Sequence, residues 1–257
     1  VFVAGWWATW FLCDDAFISF RYARNLANGD GLVFNPGHER VEGYTNFLWV
    51  LILAAGKVIG AVPEVAARPL SIAATIVLFY LVLRFCRDMT PANVHPAWLA
   101  VPAGFLALNR SFAVWATGGL ETRLFEVFIV AGLIATVREM SAAAENRRWP
   151  SSAILLALGT LTRPDGLLIS CAILGARFLV KAKRRQIRLQ PILIWMLVYG
   201  GIVGGHYLFR RFYYGDWLPN TYYAKVDGQT WWFEGAIYLA TFAFEYAAIL
   251  WLPIIVI

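Results

Sequence analysis

The sequence predicts an all-α, polytopic transmembrane helix bundle. Of its 257 residues, 60% are hydrophobic and only 15% are charged, and the mean hydropathy is +0.61. A soluble domain carries about 45–50% apolar and about 25% charged residues, so lipid must cover much of this surface. The apolar residues form long runs without period-two alternation. Since backbone groups in lipid must pair within a helix or a closed barrel, these runs predict helices.

The apolar runs lie near 1–13, 46–62, 64–86, 96–116, 124–137, 151–180, 190–209 and 236–257. The first run looks cut, because a spanning helix needs about 20 apolar residues and residues 1–13 are too few. The last run looks cut because the chain stops inside it. Residues 1–13 also lack the basic start of a signal peptide. We therefore expect residues 1–257 to be the N-terminal part of a single transmembrane domain that is truncated at both ends.

Two basic clusters predict the topology. One cluster follows the run 151–180 and consists of Lys181, Lys183, Arg184, Arg185 and Arg188. The other precedes that run and consists of Arg138, Arg147 and Arg148. The positive-inside rule places both clusters in the cytoplasm. The run 151–180 must then cross outward and return. Its polar break, residues 161–166, predicts two short helices joined by a turn beside an outward-opening cavity, where irregular backbone is tolerated.

One apolar run must fail to cross the membrane. If Asp14, Asp15 and Glu121 share a site, they lie on the same side, yet three runs separate them. If Arg84 and Arg87, at the end of the run 64–86, lie in the cytoplasm, 46–62 is the run that does not cross. Alternatively, 96–116, which Pro102 and Gly104 interrupt, fails to cross.

Residues 14–29 predict an amphipathic helix on the membrane surface, inside a first external loop spanning 14–45. Asp is a good helix cap and Gly29 a good stop. Polar residues recur on one face of this helix and apolar residues on another. The polar face carries Arg21, Arg24, Asn25 and Asn28, and the other face carries Ile18, Tyr22 and Leu26. Capping needs one Asp, and two adjacent carboxylates repel each other, so the pair Asp14 and Asp15 indicates a site.

Four further segments carry polar residues at predicted helix ends. Residues 31–46 are expected to form an ordered loop in which Glu42 is the candidate functional carboxylate. In residues 115–122, Glu121 follows a Gly-Gly turn at the start of a helix, and its alternative role is that of an N-terminal helix cap. In 163–166, a buried Arg163 suits a phosphate, although Asp165 could be its structural partner. Residues 213–225 mix aromatic rings with Asn, Asp and Lys, as sugar sites do, and we expect 213–234 to be an external loop.

Five sequence stretches, read in order, resemble the GT-C superfamily of membrane glycosyltransferases. They are similar in particular to bacterial proteins related to the mycobacterial terminal arabinofuranosyltransferase. The stretches are DDAFISFRYARNLANGDGLVFNPG, VEGYTNFLW, ATGGLET, LTRPDG and YYGDWLPNTYYAK.

The resemblance implies an inverting glycosyltransferase in the bacterial inner membrane. It would move a sugar from a polyprenyl-phosphate donor to a glycan or lipid acceptor on the outer face. By position, Asp14 is the expected catalytic base, Asp15 its neighbour and Glu121 the second-loop carboxylate. From their positive charge we also expect Arg163 and Lys225 to bind the donor phosphate. Further expected substrate contacts are Arg21, Glu42, Asn46, Asp165, Asn220 and Tyr222.

The resemblance leaves metal dependence open, since some superfamily members use a divalent metal near the acidic pair. We expect no other cofactor, because the three cysteines are far apart and form no metal or redox motif. The net charge of +6 comes mostly from one juxtamembrane run, so we expect membrane lipids rather than nucleic acid as partners. A transporter or flippase is the alternative, but its ionisable residues should lie near the bilayer midplane in repeated segments.

Overall fold

The computed structural model describes residues 11–140, 150–226 and 231–245, and this part of the chain is helical without a β-strand. The runs at 1–10 and 246–257, and Arg147 and Arg148, lie outside the described residues. The helices are α1 (Asp14–Asn28), α2 (Phe47–Val58), α3 (Pro63–Met89), a 3₁₀ helix (Pro96–Leu99), α4 (Ala100–Leu108), α5 (Arg110–Val114), α6 (Thr122–Glu139), α7 (Ser151–Thr162), α8 (Asp165–Lys183), α9 (Leu189–Tyr214), α10 (Asn220–Val226) and α11 (Trp232–Glu245). The chain divides into two compact units, residues 1–220 and 221–257.

The predicted end of α1 is confirmed, whereas its predicted cap is wrong. Gly29 has a φ of 92° and its N–H donates to the carbonyl of Leu26 at 3.2 Å, which closes the helix. At the other end Cys13, in an extended conformation, takes the N-cap position. Asp14 is instead the first helical residue, and its carboxylate accepts the N–H of Asp15 at 3.0 Å.

The polar break between α7 and α8 is also confirmed. Helix α7 ends at Thr162, and Arg163 is extended (φ −149°, ψ 137°), as expected for a residue before proline. Helix α8 then returns along α7, against which it packs. The approach is close, since a Cβ on Gly166 would lie 2.7 Å from the Cα of Thr160. The hairpin therefore presents Arg163 at its tip.

Unit 1 has two ends with different polar residues. Helix α6 packs against α3 and α7, and both α8 and α9 pack against α7. At one end, which we call the Glu121 end, lie the start of α6 and the tip of the α7–α8 hairpin. At the other, which we call the Glu139 end, the carboxylate of Glu139 accepts from the N–H and hydroxyl of Ser152 at 2.9 and 2.6 Å and from Arg177 at 3.3 Å.

The run 46–62 is the one that starts and finishes at the same end of the bundle. Asn46, before α2, bonds Glu121, and the hydroxyl of Ser71, in the first turns of α3, bonds the carbonyl of Leu120 at 3.4 Å. The far end of α3 lies beside the end of α6, where Arg138 pairs with Asp88 at 3.2 Å. The run 96–116 therefore returns from the Glu139 end to the Glu121 end, divided among the 3₁₀ helix, α4 and α5.

The segment 213–234, which the sequence predicts to be an external loop, contains helices in its described part. Helix α9 continues to Tyr214, and α10 and α11 occupy much of the segment. A tertiary contact accompanies the last turn of α9, because the hydroxyl of Tyr213 accepts the N–H of Leu32 at 3.0 Å and Tyr214 donates to the carbonyl of Leu32 at 2.8 Å. These bonds hold the last turn of α9, and Gly215, with a φ of 89°, ends it.

Two of the described helices, α3 and α9, are long and apolar enough to cross a membrane by length and composition. Both expose many large apolar side chains along their length. Exposed apolar surface of this extent is costly in water, and lipid would remove the cost.

Candidate functional site

The acidic pair lies in the first turn of α1, and a neighbouring loop holds that turn in place. Asp14 and Asp15 are both exposed. The N–H of Cys13 donates to the carbonyl of Gly118 at 2.9 Å, which ties the start of α1 to the loop before Glu121. Asp14 and the Glu121 loop therefore lie at the same end of unit 1.

Gly119 allows this loop to approach α1 closely. Its φ of 82° is left-handed, and a Cβ there would lie 2.7 Å from Leu12 and 3.2 Å from Ala16. The indole N–H of Trp49 donates to the Gly119 carbonyl at 3.2 Å from α2. Three elements thus meet at the residue two positions before Glu121.

Glu121 is 5% exposed and both of its carboxylate oxygens have partners. Asn46 donates to Oε2 at 2.7 Å and Arg163 donates to Oε1 at 3.3 Å. Glu121 occupies the N-cap position of α6, yet its side chain makes no capping bond. The alternative interpretation of Glu121 as a simple cap is therefore wrong.

Arg163 connects Glu121 to a second carboxylate. Its Nη2 and Nε donate to Oδ2 of Asp165 at 3.0 and 3.3 Å. At the other side, the amide of Asn46 also bonds the hydroxyl of Ser19 at 2.9 Å. We call this series the polar chain: Ser19, Asn46, Glu121, Arg163 and Asp165.

Arg163 is the partly accessible cation of this group, with 37% of its side chain exposed. Within the described residues, its bonds to the two carboxylates use three of the five N–H groups that a guanidinium carries. The guanidinium can therefore hold its carboxylate partners and still offer donors to an anion.

Glu42 and Arg21 hold the loop 31–46 in place. Glu42 forms a buried ion pair with Arg210 of α9, in which Nη2 lies 3.2 Å from Oε1. Burial raises the pKa of the Glu42 carboxyl, and the Arg210 charge partly offsets the rise. Arg21 donates to the carbonyl of Phe34 at 2.7 Å and to Asn35 at 2.6 Å.

The expected sugar-binding residues after α9 are not gathered with the polar chain by any described side-chain contact. The backbone N–H of Asn220 donates to the carbonyl of Glu42 at 3.1 Å, while its side chain is exposed. Tyr222 belongs to the second unit, where its ring meets that of Tyr223 at 5.6 Å. The side chain of Lys225 lies outside the described residues.

Three further polar residues at this end are not among the site residues that the sequence predicts. Arg210 had the signal that marked Arg163, an arginine in an apolar run. Arg123 is buried, pairs with Glu126 at 2.6 Å and lies over the ring of Phe112 at 4.2 Å. Ser19 carried no signal, because an isolated serine in a helix is common.

The acidic pair has part of the donor set for a divalent metal. The ligand atoms of Cys13, Asp14 and Asp15 lie within 4.8 Å of one another. Mg²⁺ and Mn²⁺ prefer oxygen, so the two carboxylates fit such an ion and the thiol does not. Such an ion commonly completes its shell with water and substrate phosphate.

Comparison with known proteins finds two relatives along nearly the whole chain. A terminal β-(1→2)-arabinofuranosyltransferase from Mycobacterium tuberculosis is 30% identical over 97% of this chain and 40% of its own length. The enzyme of the same name from Corynebacterium glutamicum is 29% identical over 98% of this chain and 38% of its own. The chain thus spans about two fifths of either relative. No protein-family model and no solved structure matches it.

Proposed function

We propose that this chain, a sequence relative of the terminal β-(1→2)-arabinofuranosyltransferases, is part of a GT-C membrane glycosyltransferase. The observation that carries the proposal is that Asp14, Glu121 and Arg163 lie at the same end of unit 1, the Glu121 end. A glycosyl transfer needs a base for the acceptor and a cation for the leaving phosphate, and this end offers an exposed carboxylate and a partly exposed guanidinium.

The proposed protein is a multi-pass protein of the bacterial inner membrane with its active site facing outward. Helix α9 runs from Leu189 to Tyr214, which is about 39 Å of helix and enough to cross the hydrocarbon core. The basic run 181–188 precedes it at the Glu139 end, and the positive-inside rule predicts that this end lies in the cytoplasm. The Glu121 end then faces outward, with α1 lying on the outer surface.

The proposed reaction is a single displacement with inversion. The Asp14 carboxylate takes the proton of the acceptor hydroxyl while the oxygen of that hydroxyl attacks the anomeric carbon. The bond between the anomeric carbon and the polyprenyl phosphate breaks at the same time. Arg163 stabilises the departing phosphate, and the hydrogen bond from Arg163 to Glu121 keeps the guanidinium in position. The names of the relatives make arabinofuranose the first sugar to test as the transferred group.

The test is sugar transfer by the full-length protein in membranes supplied with a radiolabelled polyprenyl-phosphate arabinofuranose. We expect Asp14→Asn to lower the rate by about 10²–10⁴-fold, the usual value of general-base assistance. Asp30→Asn is the matched control, since Asp30 is also exposed and lies just after α1. Transfer at the wild-type rate by folded Asp14→Asn, or donor translocation without transfer in the wild type, would refute the proposal.

A further inference from the structure

The exposed face of α1 carries an aromatic ring next to the proposed base. Asp14, Phe17 and Arg21 follow one another at intervals of three and four residues, so their side chains lie along one face of the helix. All three are exposed, while the opposite face of α1 packs against α2 and α3. Arg21 lies about 10.5 Å along the helix axis from Asp14, which is about two helical turns. The exposed face is therefore an extended surface that begins at the proposed base.

The ring of Phe17 is held in place and still accessible. Its centroid lies 5.4 Å from that of the fully buried Phe20, edge to face, and 48% of the residue is exposed. Charged side chains lie one turn away on both sides, Asp14 before it and Arg21 after it. Insertion of this ring into lipid would carry both charges toward the membrane, which is costly. The ring therefore faces water, where its π face can pack against the C–H groups of a sugar ring.

The guanidinium of Arg21 is fixed by its neighbours and retains hydrogen-bond donors. Nε donates to the carbonyl of Phe34 at 2.7 Å, Nη2 donates to Oδ1 of Asn35 at 2.6 Å, and the group lies 4.3 Å over the Phe34 ring. Within the described residues these bonds use two of its five N–H groups. The bond to Asn35 uses the amide oxygen of that residue, which leaves its amide N–H groups as donors. Arg21 and Asn35, both exposed, therefore present several donors in fixed positions.

From this arrangement we propose that the exposed face of α1 binds the acceptor, and that the acceptor is an oligosaccharide rather than a single sugar. The terminal sugar packs on Phe17 with its attacking hydroxyl at Asp14, and a preceding sugar accepts hydrogen bonds from Arg21 and Asn35. The distance from Asp14 to Arg21 is longer than one sugar ring, so only a chain of sugars reaches both ends of the surface. The inference rests on the proposed function, in which Asp14 is the base.

The experiment measures the binding of sugars to full-length protein in a sugar-free detergent by isothermal titration calorimetry, without a donor. The two probes are methyl arabinofuranoside and a linear arabinofuranose tetrasaccharide. We expect the tetrasaccharide to bind about tenfold more tightly, because only this probe reaches Arg21 and Asn35 as well as Phe17. Transfer by the wild type is measured separately. Transfer with equal affinity for the two acceptors would refute the extended acceptor surface alone, whereas absence of transfer would refute the proposed function.

Three substitutions at Phe17 separate stacking on a sugar from general apolar packing. Phe17→Ala and Phe17→Leu should each weaken tetrasaccharide binding about fivefold, since leucine restores apolar volume but not the ring. Phe17→Tyr retains the ring and should bind like wild type. If Phe17 only contacts lipid or packs against the protein, Phe17→Leu should bind like wild type, and that result would overturn the proposal.

Arg21→Gln should weaken tetrasaccharide binding about tenfold and leave the binding of methyl arabinofuranoside unchanged, because a single sugar does not reach Arg21. Unchanged binding of the smaller probe also shows that the variant is folded, although Arg21 helps to hold the loop 31–46. Arg24→Gln is the matched control, since Arg24 is exposed on the same helix and its charge is paired with Glu64 at 2.8 Å. Equal affinities of the wild type for the two probes, or equal losses in Arg21→Gln and Arg24→Gln, would overturn the proposal.

Discussion

The side-chain amide of Asn46 lies 2.7 Å from the carboxylate of Glu121, across 75 residues of sequence. This bond joins the residue before α2 to the start of α6, and Arg163 completes the link to the α7–α8 hairpin. The carboxylate is 5% exposed, so each missing partner would leave a buried charge less well compensated. The relationship makes Glu121 the centre of the proposed site and directs the first two predictions.

Asn46→Asp should destabilise the protein by about 1–3 kcal/mol, because it replaces a donor with a second carboxylate against Glu121. Thermal or denaturant unfolding in detergent measures the change. Asn93→Asp is the control, as the same substitution at an exposed turn. The exchanged pair Asn46→Asp/Glu121→Gln restores one acid and one amide and should regain part of the loss. An exchanged pair no more stable than Asn46→Asp would contradict the assigned bond.

Arg163→Gln should weaken binding of a polyprenyl-phosphate donor more than that of the acceptor, because it removes the cation that we propose meets the phosphate. Arg163→Lys should keep part of the activity, since it retains charge but loses the paired donors. Donor-lipid binding and initial rates measure both effects.

Asp165→Asn separates a structural role from the phosphate role of Arg163. The Asp165 carboxylate is 64% exposed, and an exposed pair contributes about 0–1 kcal/mol, so stability should change little. If Arg163→Gln and Asp165→Asn both lower the melting temperature while donor binding per folded molecule stays unchanged, Arg163 is structural only.

Arg210→Gln should destabilise the protein increasingly as the pH rises. Without Arg210, burial alone acts on Glu42, whose folded pKa then lies further above its ordinary value of 4.5. Because the pKa is higher in the folded state, protonated Glu42 contributes to the stability of the fold. This contribution is complete below pH 4.5 and is lost as the pH rises through the folded-state pKa. We expect a deficit of about 3–5 kcal/mol once Glu42 is ionised.

Unfolding curves between pH 4.5 and pH 8 measure this deficit. Arg211→Gln is the control, because Arg211 is the exposed neighbour on the same helix. In the double variant Arg210→Gln/Glu42→Gln the pH dependence should disappear. Equal slopes for Arg210→Gln and Arg211→Gln would show that the buried pair does not control stability.

Gly119→Ala should cost more stability than Gly29→Ala. Both glycines have a left-handed φ, 82° and 92°, so both substitutions carry a strain of about 1–2 kcal/mol. Only at Gly119 does a new Cβ also meet neighbours, Leu12 at 2.7 Å and Ala16 at 3.2 Å, whereas the space around Gly29 is open. The clash should add about 1–3 kcal/mol.

The difference between the two glycine variants, measured by unfolding, isolates the contact between the Glu121 loop and α1. Gly119→Ala should also lower transferase activity, since it moves Glu121 relative to Asp14. A Gly119→Ala variant as stable as Gly29→Ala would show that this loop does not press against α1.

Local features of the sequence were sufficient for much of the fold. Composition and uninterrupted apolar runs predicted a helical chain, Gly29 predicted the end of α1, and Arg163-Pro164 predicted the break between α7 and α8. These features act within a few residues, through backbone sterics or the solvation of a segment, so no distant partner is needed to recognise them. The similarity to the curated relatives was likewise visible in the five motifs.

Only the tertiary structure decided which polar groups meet. Glu42 pairs with Arg210 across 168 residues, and Asn46 meets Glu121 across 75. It also showed that the run 46–62 begins and ends at the Glu121 end and that Tyr213 and Tyr214 extend α9. A side chain's partner depends on which elements pack together, and packing is a sum over many distant contacts. The residue type therefore predicts that a buried charge needs a partner, while the fold determines which residue that partner is.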